Sequence, residues 1–296
     1  MIEIRSKEYV KVQTELLKQR VSELKDKGIH PKIVIILCGD DEASASYART
    51  KTRFADKIGV ANELISCPSN TTTEELLAVI QQYNEDETVQ GIMIEMPLPK
   101  QIDVQKINIA IDPDKDLDAI HPVHLGNLLA GNQSRVPNTP LSAITLMDEV
   151  NTTFRGKRAV MIGRSTIVGK PLADLMLQRG ATVTVAHSQT ENMAELTRSA
   201  DIICVAVGIP KFLTEDMVSP GTTVIDIGTT YDENGKVTGT RCRYFETGLL
   251  EEEAEYSRDV LNGFVTQYNS DGSVRSKREF RKGFPVEVEK EIRKEV

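Results

Sequence analysis

Two hydrophobic rhythms alternate along the first part of the chain. KEYVKVQTELLKQRVSELKDKG (7–28) carries apolar residues at helical spacing and stops at Gly28, KIVIILCG (32–39) is a short β-branched run, and SASYARTKTRFADKIG (44–59) is helical again. NELISCP (62–68) reads as a strand. TTEELLAVIQQYNED (72–86) then opens with threonines suited to capping a helix, and VQGIMIEMPLP (89–99) returns to the strand pattern. Alternation of this kind predicts a parallel sheet covered by helices.

A loop-rich passage, DPDKDLDAIHPVHLGNLLAGNQSRVPNTP (112–140), interrupts it with turn-forming Pro, Asp, Asn and Gly. Long irregular segments inside compact domains are often functional. LSAITLMDEV (141–150) reads as a helix leading to a junction near Asn151. The rhythm then restarts with RAVMIG (158–163), KPLADLMLQRG (170–180), ATVTVAHS (181–188), TENMAELTRSA (190–200), DIICVAVG (201–208) and TTVIDIG (222–228). The expected architecture is α/β with two doubly wound lobes and a cleft between them. Residues 1–148 form the substrate domain and 149–268 the Rossmann-like cofactor domain. A polar tail over 269–296 ends in a helical-looking stretch read as returning to the first domain.

With 296 residues the chain is long enough for two such domains, and its 40% apolar content is ordinary for a globular protein. No apolar run approaches the roughly 20 residues that span a bilayer, so no membrane segment is expected. MIEIRSKEYVKVQ lacks a basic leader and an apolar signal core, which makes the cytoplasm the expected compartment. Cys38, Cys67, Cys204 and Cys242 are scattered without a Cys-x-x-Cys pair and are expected to be reduced packing residues. A net charge of −8 disfavours nucleic acid as a partner.

RAVMIGRSTIVGKP (158–171) places Gly163 at the end of a strand and Gly169 at the mouth of a helix, without the middle glycine of the common dinucleotide fingerprint. Gly163 permits a tight turn, and a helix starting near Gly169 would present free N–H groups to a phosphate. An ordinary β-α turn without a ligand accounts for the same residues. The next strand ends in VAHS, with no acid to bind ribose hydroxyls, while Arg164 and Ser188 are available for a ribose phosphate. That chemistry points to NADP rather than NAD. Ser165 belongs to the same loop, His187 either assists or packs, with packing favoured, and Gly208 and Gly228 end later strands where the nicotinamide half would lie.

ASASYARTK (43–51) sets Tyr47 and Lys51 four apart on one helix face, an arrangement that equally describes a surface pair with a solvated lysine. Asp116 and Asp118 read by default as solvated turn carboxylates. His121 and His124, without a further ligand set, do not make a metal site.

YARTK, GIMIEMPLPK, KDLDAIHP, VPNTP, GKRAVMIGRSTIVGKPLADLML with ATVTVAHSQT, ADIICVAVGIPKF and GTTVIDIG follow one another in an order and spacing that resembles the methylenetetrahydrofolate dehydrogenase/cyclohydrolase family. The resemblance implies a substrate lobe, an NADP-binding lobe and a homodimer. It also implies oxidation of methylenetetrahydrofolate to the methenyl cation, often followed by hydrolysis to formyltetrahydrofolate. Position by position, it implies Lys51 as the catalytic lysine, Tyr47 as the tyrosine stacking on the folate and Asp118 as the aspartate binding the pterin. Arg164 and Ser188 match contacts to the ribose phosphate.

The family's glutamine partner of the lysine falls on Glu95. A carboxylate favours the charged amine and makes it a poorer base, whereas an amide expresses no such preference. Hydride transfer needs no proton removed by a side chain, but hydrolysis does. Dehydrogenation is therefore expected to survive better than cyclohydrolase activity, whereas a Glu95 kept protonated and amide-like by desolvation would preserve hydrolysis, and a plain salt bridge would serve no catalytic purpose. Ala119 and Ile120 stand where Gly and an aromatic are usual, and Asn138 and Ser142 where Cys and Gly are common. The family's glycine-rich closing motif is absent from the C-terminal part, which leaves open a noncatalytic or altered-substrate NADP-binding paralogue.

Overall fold

The computed structural model describes residues 6–133, 135–209, 212–228, 230–231, 237–244, 250–257, 260–269, 271, 273–281 and 284–285. Its first sheet is built from β1 (Lys32–Cys38), β2 (Ala61–Cys67) and β3 (Gly91–Ile94) in the order β2-β1-β3, all parallel. The helices between them are α1 (Ser6–Asp26), α2 (Glu42–Ile58), α3 (Thr73–Glu85) and α4 (Val104–Ala110). Local chemistry fixes their ends. Asp41 accepts from Ser44 N at the start of α2, Gly59 closes that helix at φ 83°, and Thr72 with Glu75 forms a reciprocal capping box at the start of α3. Val34, Ile36, Ile92 and Ile94 point from the sheet into a core shared with Leu76, Ile80 and Ile107 of α3 and α4.

The second sheet contains β4 (Arg158–Ile162), β5 (Thr182–Ala186), β6 (Ile202–Val205) and β7 (Thr223–Asp226) in the order β5-β4-β6-β7, again parallel. One face packs on α7 (Gly169–Gln178) through Met161, Cys204, Leu172 and Met176. The other is covered by α8 (Met193–Arg198), with Val160, Ile203 and Val205 against Leu196. Both lobes therefore have the α/β parallel architecture expected from the alternating pattern.

Three features go beyond that pattern. The passage read as loop contains a helix, α5 (Pro122–Leu129), whose start is set by Pro122 at its first turn and by His121 as N-cap. It was hidden because turn residues surround it. Next, α5 and α6 (Asn138–Glu149), counted from sequence with the first domain, contribute Leu128, Ile144 and Met147 to the core of the second sheet, in common with Leu172 of α7. Lastly, a six-stranded antiparallel sheet follows the parallel one. It comprises β8 (Thr230–Tyr231), β9 (Val237–Tyr244), β10 (Leu250–Ser257), β11 (Val260–Tyr268), β12 (Val274–Arg281) and β13 (Phe284–Pro285) as a meander.

The span 149–268 thus holds two sheets of different kind, and the segment read as a polar tail begins with a strand. Cross-strand pairing of β10 and β12 with β9 and β11 defines these strands. The helical-looking end of the tail, 286–296, and its expected return to the first domain lie outside the described residues. Among the described residues no helix is long and apolar enough to cross a membrane.

Candidate active site

In the order β2-β1-β3 the chain leaves β1 on one side and returns on the other, so the switch point of the first sheet lies between β1 and β3. Open α/β sheets hold ligands at the carboxyl ends of such strands. Glu95 is the residue after β3, and its N–H donates to Ile36 O of β1 at 2.9 Å, which fixes it at that edge. Its side chain is 3% exposed. From α2, Lys51 Nζ approaches Glu95 Oε1 to 2.8 Å and sits 4.5 Å from the centre of the Tyr47 ring, one helical turn earlier. The contact with Glu95 is an ion pair rather than an aligned hydrogen bond, since Oε1 has no hydrogen-bond partner among the described residues. Ser44 Oγ donates to Met96 O at 3.3 Å and docks the start of α2 on the loop after β3. Lys51 is thus engaged with a buried carboxylate, not solvated.

The segment bearing Asp116 and Asp118 is carried to the same edge by backbone pairing. Ile92 N donates to Lys115 O (2.7 Å) and Leu117 N to Ile92 O (3.2 Å), so 115–117 runs parallel along β3. Lys115 anchors it by donating to the carbonyls of Tyr83, Asn84 and Asp86 at the end of α3 (2.9, 2.7 and 2.8 Å). Leu117 lies over Gly91, where any β-carbon would strike it. Asp116, expected to be a solvated turn carboxylate, is buried and accepts from the N–H groups of Asp118 (3.0 Å) and His121 (2.8 Å). It shapes the turn that presents Asp118.

Burial pushes the Asp118 carboxyl above the usual aspartate range. Lys51 opposes that shift, Asp116 and Glu95 reinforce it, and a hydrogen bond from Asn138 opposes it. Lys51, Tyr47, Glu95 and Asp118 therefore form one electrostatic cluster. His121 Nδ1 accepts from Val123 N as a helix cap and His124 Nε2 lies 2.8 Å from Pro113 O. Among the described residues no group of three or more His, Cys, Asp or Glu side chains is arranged to hold a metal ion.

The second sheet has its switch point between β4 and β6. Gly163 follows β4 at φ 120°, and a β-carbon there would come 2.8 Å from Ala206 O beyond β6. Gly169 opens α7 so close to Gly163 O that a side chain has no room. Gly228 similarly abuts the Gly208 backbone, so the two later glycines share one edge.

One expectation changes here. The amides of Val168 and Gly169 are not free at the helix mouth, because both donate to Ser165 Oγ (3.2 and 3.1 Å). Ser165 is thus a cap, while the N–H groups of the turn 164–167 have no partner among the described residues. Arg164 Nη2 reaches Gln189 Oε1 at 3.4 Å, in the loop after β5 that also carries exposed Ser188. His187 serves the turn: its Nδ1 accepts from Gln189 N (3.2 Å) and its N–H donates to Thr190 Oγ1 (2.9 Å). Sequence reasoning did not assign Gln189 or Lys115, whose signals are only positional. A surface depression of about 280 Å³ near Lys18 and Gly59 is lined by none of these residues.

Residues 4–118 match the tetrahydrofolate dehydrogenase/cyclohydrolase catalytic domain, and residues 137–244 match the tetrahydrofolate dehydrogenase/cyclohydrolase NAD(P)-binding domain. The bifunctional protein FolD of Lactococcus lactis is 46% identical over 229 residues, which is 77% of this chain and 80% of that one. Among solved structures, the bifunctional FolD methylenetetrahydrofolate dehydrogenase/cyclohydrolase of Campylobacter jejuni superposes with a TM-score of 0.73 at 39% identity, covering 76% of this chain and 80% of its own. The Trypanosoma brucei methylenetetrahydrofolate dehydrogenase-cyclohydrolase, complexed with NADP and an inhibitor, has a TM-score of 0.73 at 30% identity, covering 87% and 84%.

Proposed function

This chain belongs to the tetrahydrofolate dehydrogenase/cyclohydrolase family and is an NADP-dependent methylenetetrahydrofolate dehydrogenase, and we propose that it works through Lys51, Tyr47, Glu95 and Asp118 with its cyclohydrolase step weakened. The observation that carries this reading is the 2.8 Å ion pair between Lys51 and the buried Glu95. NADP, when bound, supplies the acceptor for the hydride leaving the one-carbon bridge of the substrate. The bond electrons leave with the hydride, so a methenyl cation remains and no base has to remove a proton.

Asp118 offers a carboxylate to the N–H groups of the pterin, and the exposed Tyr47 ring provides a stacking face beside Lys51. Glu95 puts a negative charge next to the site where the cation develops, which favours its formation. The same carboxylate engages the Lys51 amine in an ion pair at 2.8 Å. Hydrolysis of the cation requires an attacking water to lose protons, and a neutral lysine assists that transfer where a paired ammonium does not. Gly163 and Gly169 bring backbone close to the cofactor phosphates, the turn 164–167 offers its amides, and Arg164 with Ser188 receives the ribose phosphate. Gly208 and Gly228 line the nicotinamide side of the same edge, and two copies of the chain associate as a homodimer.

The test follows NADPH formation and methenyl-cation hydrolysis separately in wild type and in Glu95→Gln. The substitution is expected to raise the ratio of hydrolysis to dehydrogenation about tenfold or more, the scale of a positioned proton-transfer group. An unchanged ratio excludes Glu95 as the cause of partition, and absence of NADPH formation by wild type excludes the assignment of chemistry to this cluster.

A further inference from the structure

Asn138 opens α6, and its exposed side chain turns back to the loop bearing Asp118. Its Nδ2 donates to Asp118 Oδ1 and to Leu117 O, both at 3.1 Å. Among the described residues, this is the hydrogen bond that the Asp118 carboxylate accepts. A helix N-terminal Asn ordinarily caps its own helix, yet Pro137 is the cap residue here and Asn138 bonds across a gap of 20 residues instead. Resting on the function proposed above, we propose that Asn138 is a positioning residue that orients the Asp118 carboxylate for recognition of the pterin.

The geometry gives the bond two consequences. Two acceptors on different residues, Leu117 O and Asp118 Oδ1, clamp one amide group, so the plane of the carboxylate is fixed relative to the backbone carrying it. Oδ1 is engaged from the α6 side, which leaves Oδ2 as the oxygen presented to a ligand. The groups facing Asp118 from the packed elements are Lys51 of α2, Glu95 after β3, Asp116 of its own segment and Asn138 of α6. With two carboxylates and burial against ionisation, the donor from Asn138 and the ammonium of Lys51 maintain the anion that N–H donors of a pterin require. Because α6 packs on α7, whose first residue closes the cofactor turn, the clamp also links the folate-binding loop to the lobe bearing that turn.

The experiment compares wild type, Asn138→Ala and the near-isosteric Asn138→Leu, which keeps the bulk, loses the donor and adds no charge. The first readout is KM for methylenetetrahydrofolate as a function of pH. Both variants are expected to move the acidic rise of KM upward by about 0.5–1 pH unit, the effect of one charge-assisted hydrogen bond, and to leave kcat much less affected. The second readout needs no turnover: the NMR titration of the Asp118 carboxyl carbon, assigned by its loss in Asp118→Asn, should shift upward in the same variants. A KM change of equal size at every pH, with an unmoved carboxyl titration, overturns the proposal. Absence of wild-type turnover would remove the proposed function, and the titration would still decide whether Asn138 governs Asp118.

Discussion

The two switch points of this molecule are built from opposite materials. At the first, between β1 and β3, the working parts are side chains: a carboxylate at 3% exposure, an amine 2.8 Å from it, and a second carboxyl held above its ordinary range by burial. At the second, between β4 and β6, the working part is backbone, brought to contact distance because Gly163 and Gly169 have no β-carbon. The difference teaches what each region tolerates. At the first, a side chain can be exchanged for one of similar shape without inserting an atom into main chain. Nothing can be added at the second without moving main chain.

The largest expected effect is therefore on the backbone side. Gly169→Ala puts a methyl group into Gly163 O and is expected to cost about 1–3 kcal/mol in urea unfolding, the range for overpacking, together with most of the NADP affinity in a titration. Gly126→Ala, the same change in mid-α5 where no atom lies within 4 Å, should instead gain about 0.5–1 kcal/mol. Equal responses at the two positions would erase the contrast.

On the side-chain side, Asp118→Asn separates binding from stability. The folded chain holds the Asp118 proton more tightly than the unfolded chain. Stability therefore falls as pH rises from the ordinary aspartate value, about 3.9, through the raised one, and that deficit persists at neutral pH. The variant should lose affinity for the folate yet unfold at a higher temperature at pH 7, with the gain vanishing near pH 3. A lower melting temperature at pH 7 would show that the carboxylate is structural.

The smallest effect concerns Ala119, which occupies left-handed backbone at φ 54° while buried. Ala119→Gly should stabilise the chain by about 0.5–1 kcal/mol in the same urea titration, with catalytic constants nearly unchanged. Loss of activity would mean that this turn is shaped by its methyl group.

Much of this was legible in the sequence because the signals are local. Helical spacing of Tyr47 and Lys51 fixes their common face, the threonines before α3 announce its cap, and Gly163 and Gly169 mark a turn at a strand end. The helix α5 escaped because its turn-rich flanks mask the short apolar run, although Pro122 at its first turn was a usable sign. The antiparallel strands β9 to β12 escaped because pairing with one another, not a regular pattern within each strand, defines them.

The sequence by itself determined the alternating parallel lobes and the chemical types at each strand end, since periodicity and side-chain identity are properties of the chain alone. Only the tertiary structure decided which charges meet. Asp118 is placed by the pairing of 115–117 with β3 and by an asparagine from a distant helix, and Ser165 takes the amides that spacing suggested were free. These outcomes depend on through-space distances and burial, which no local pattern encodes.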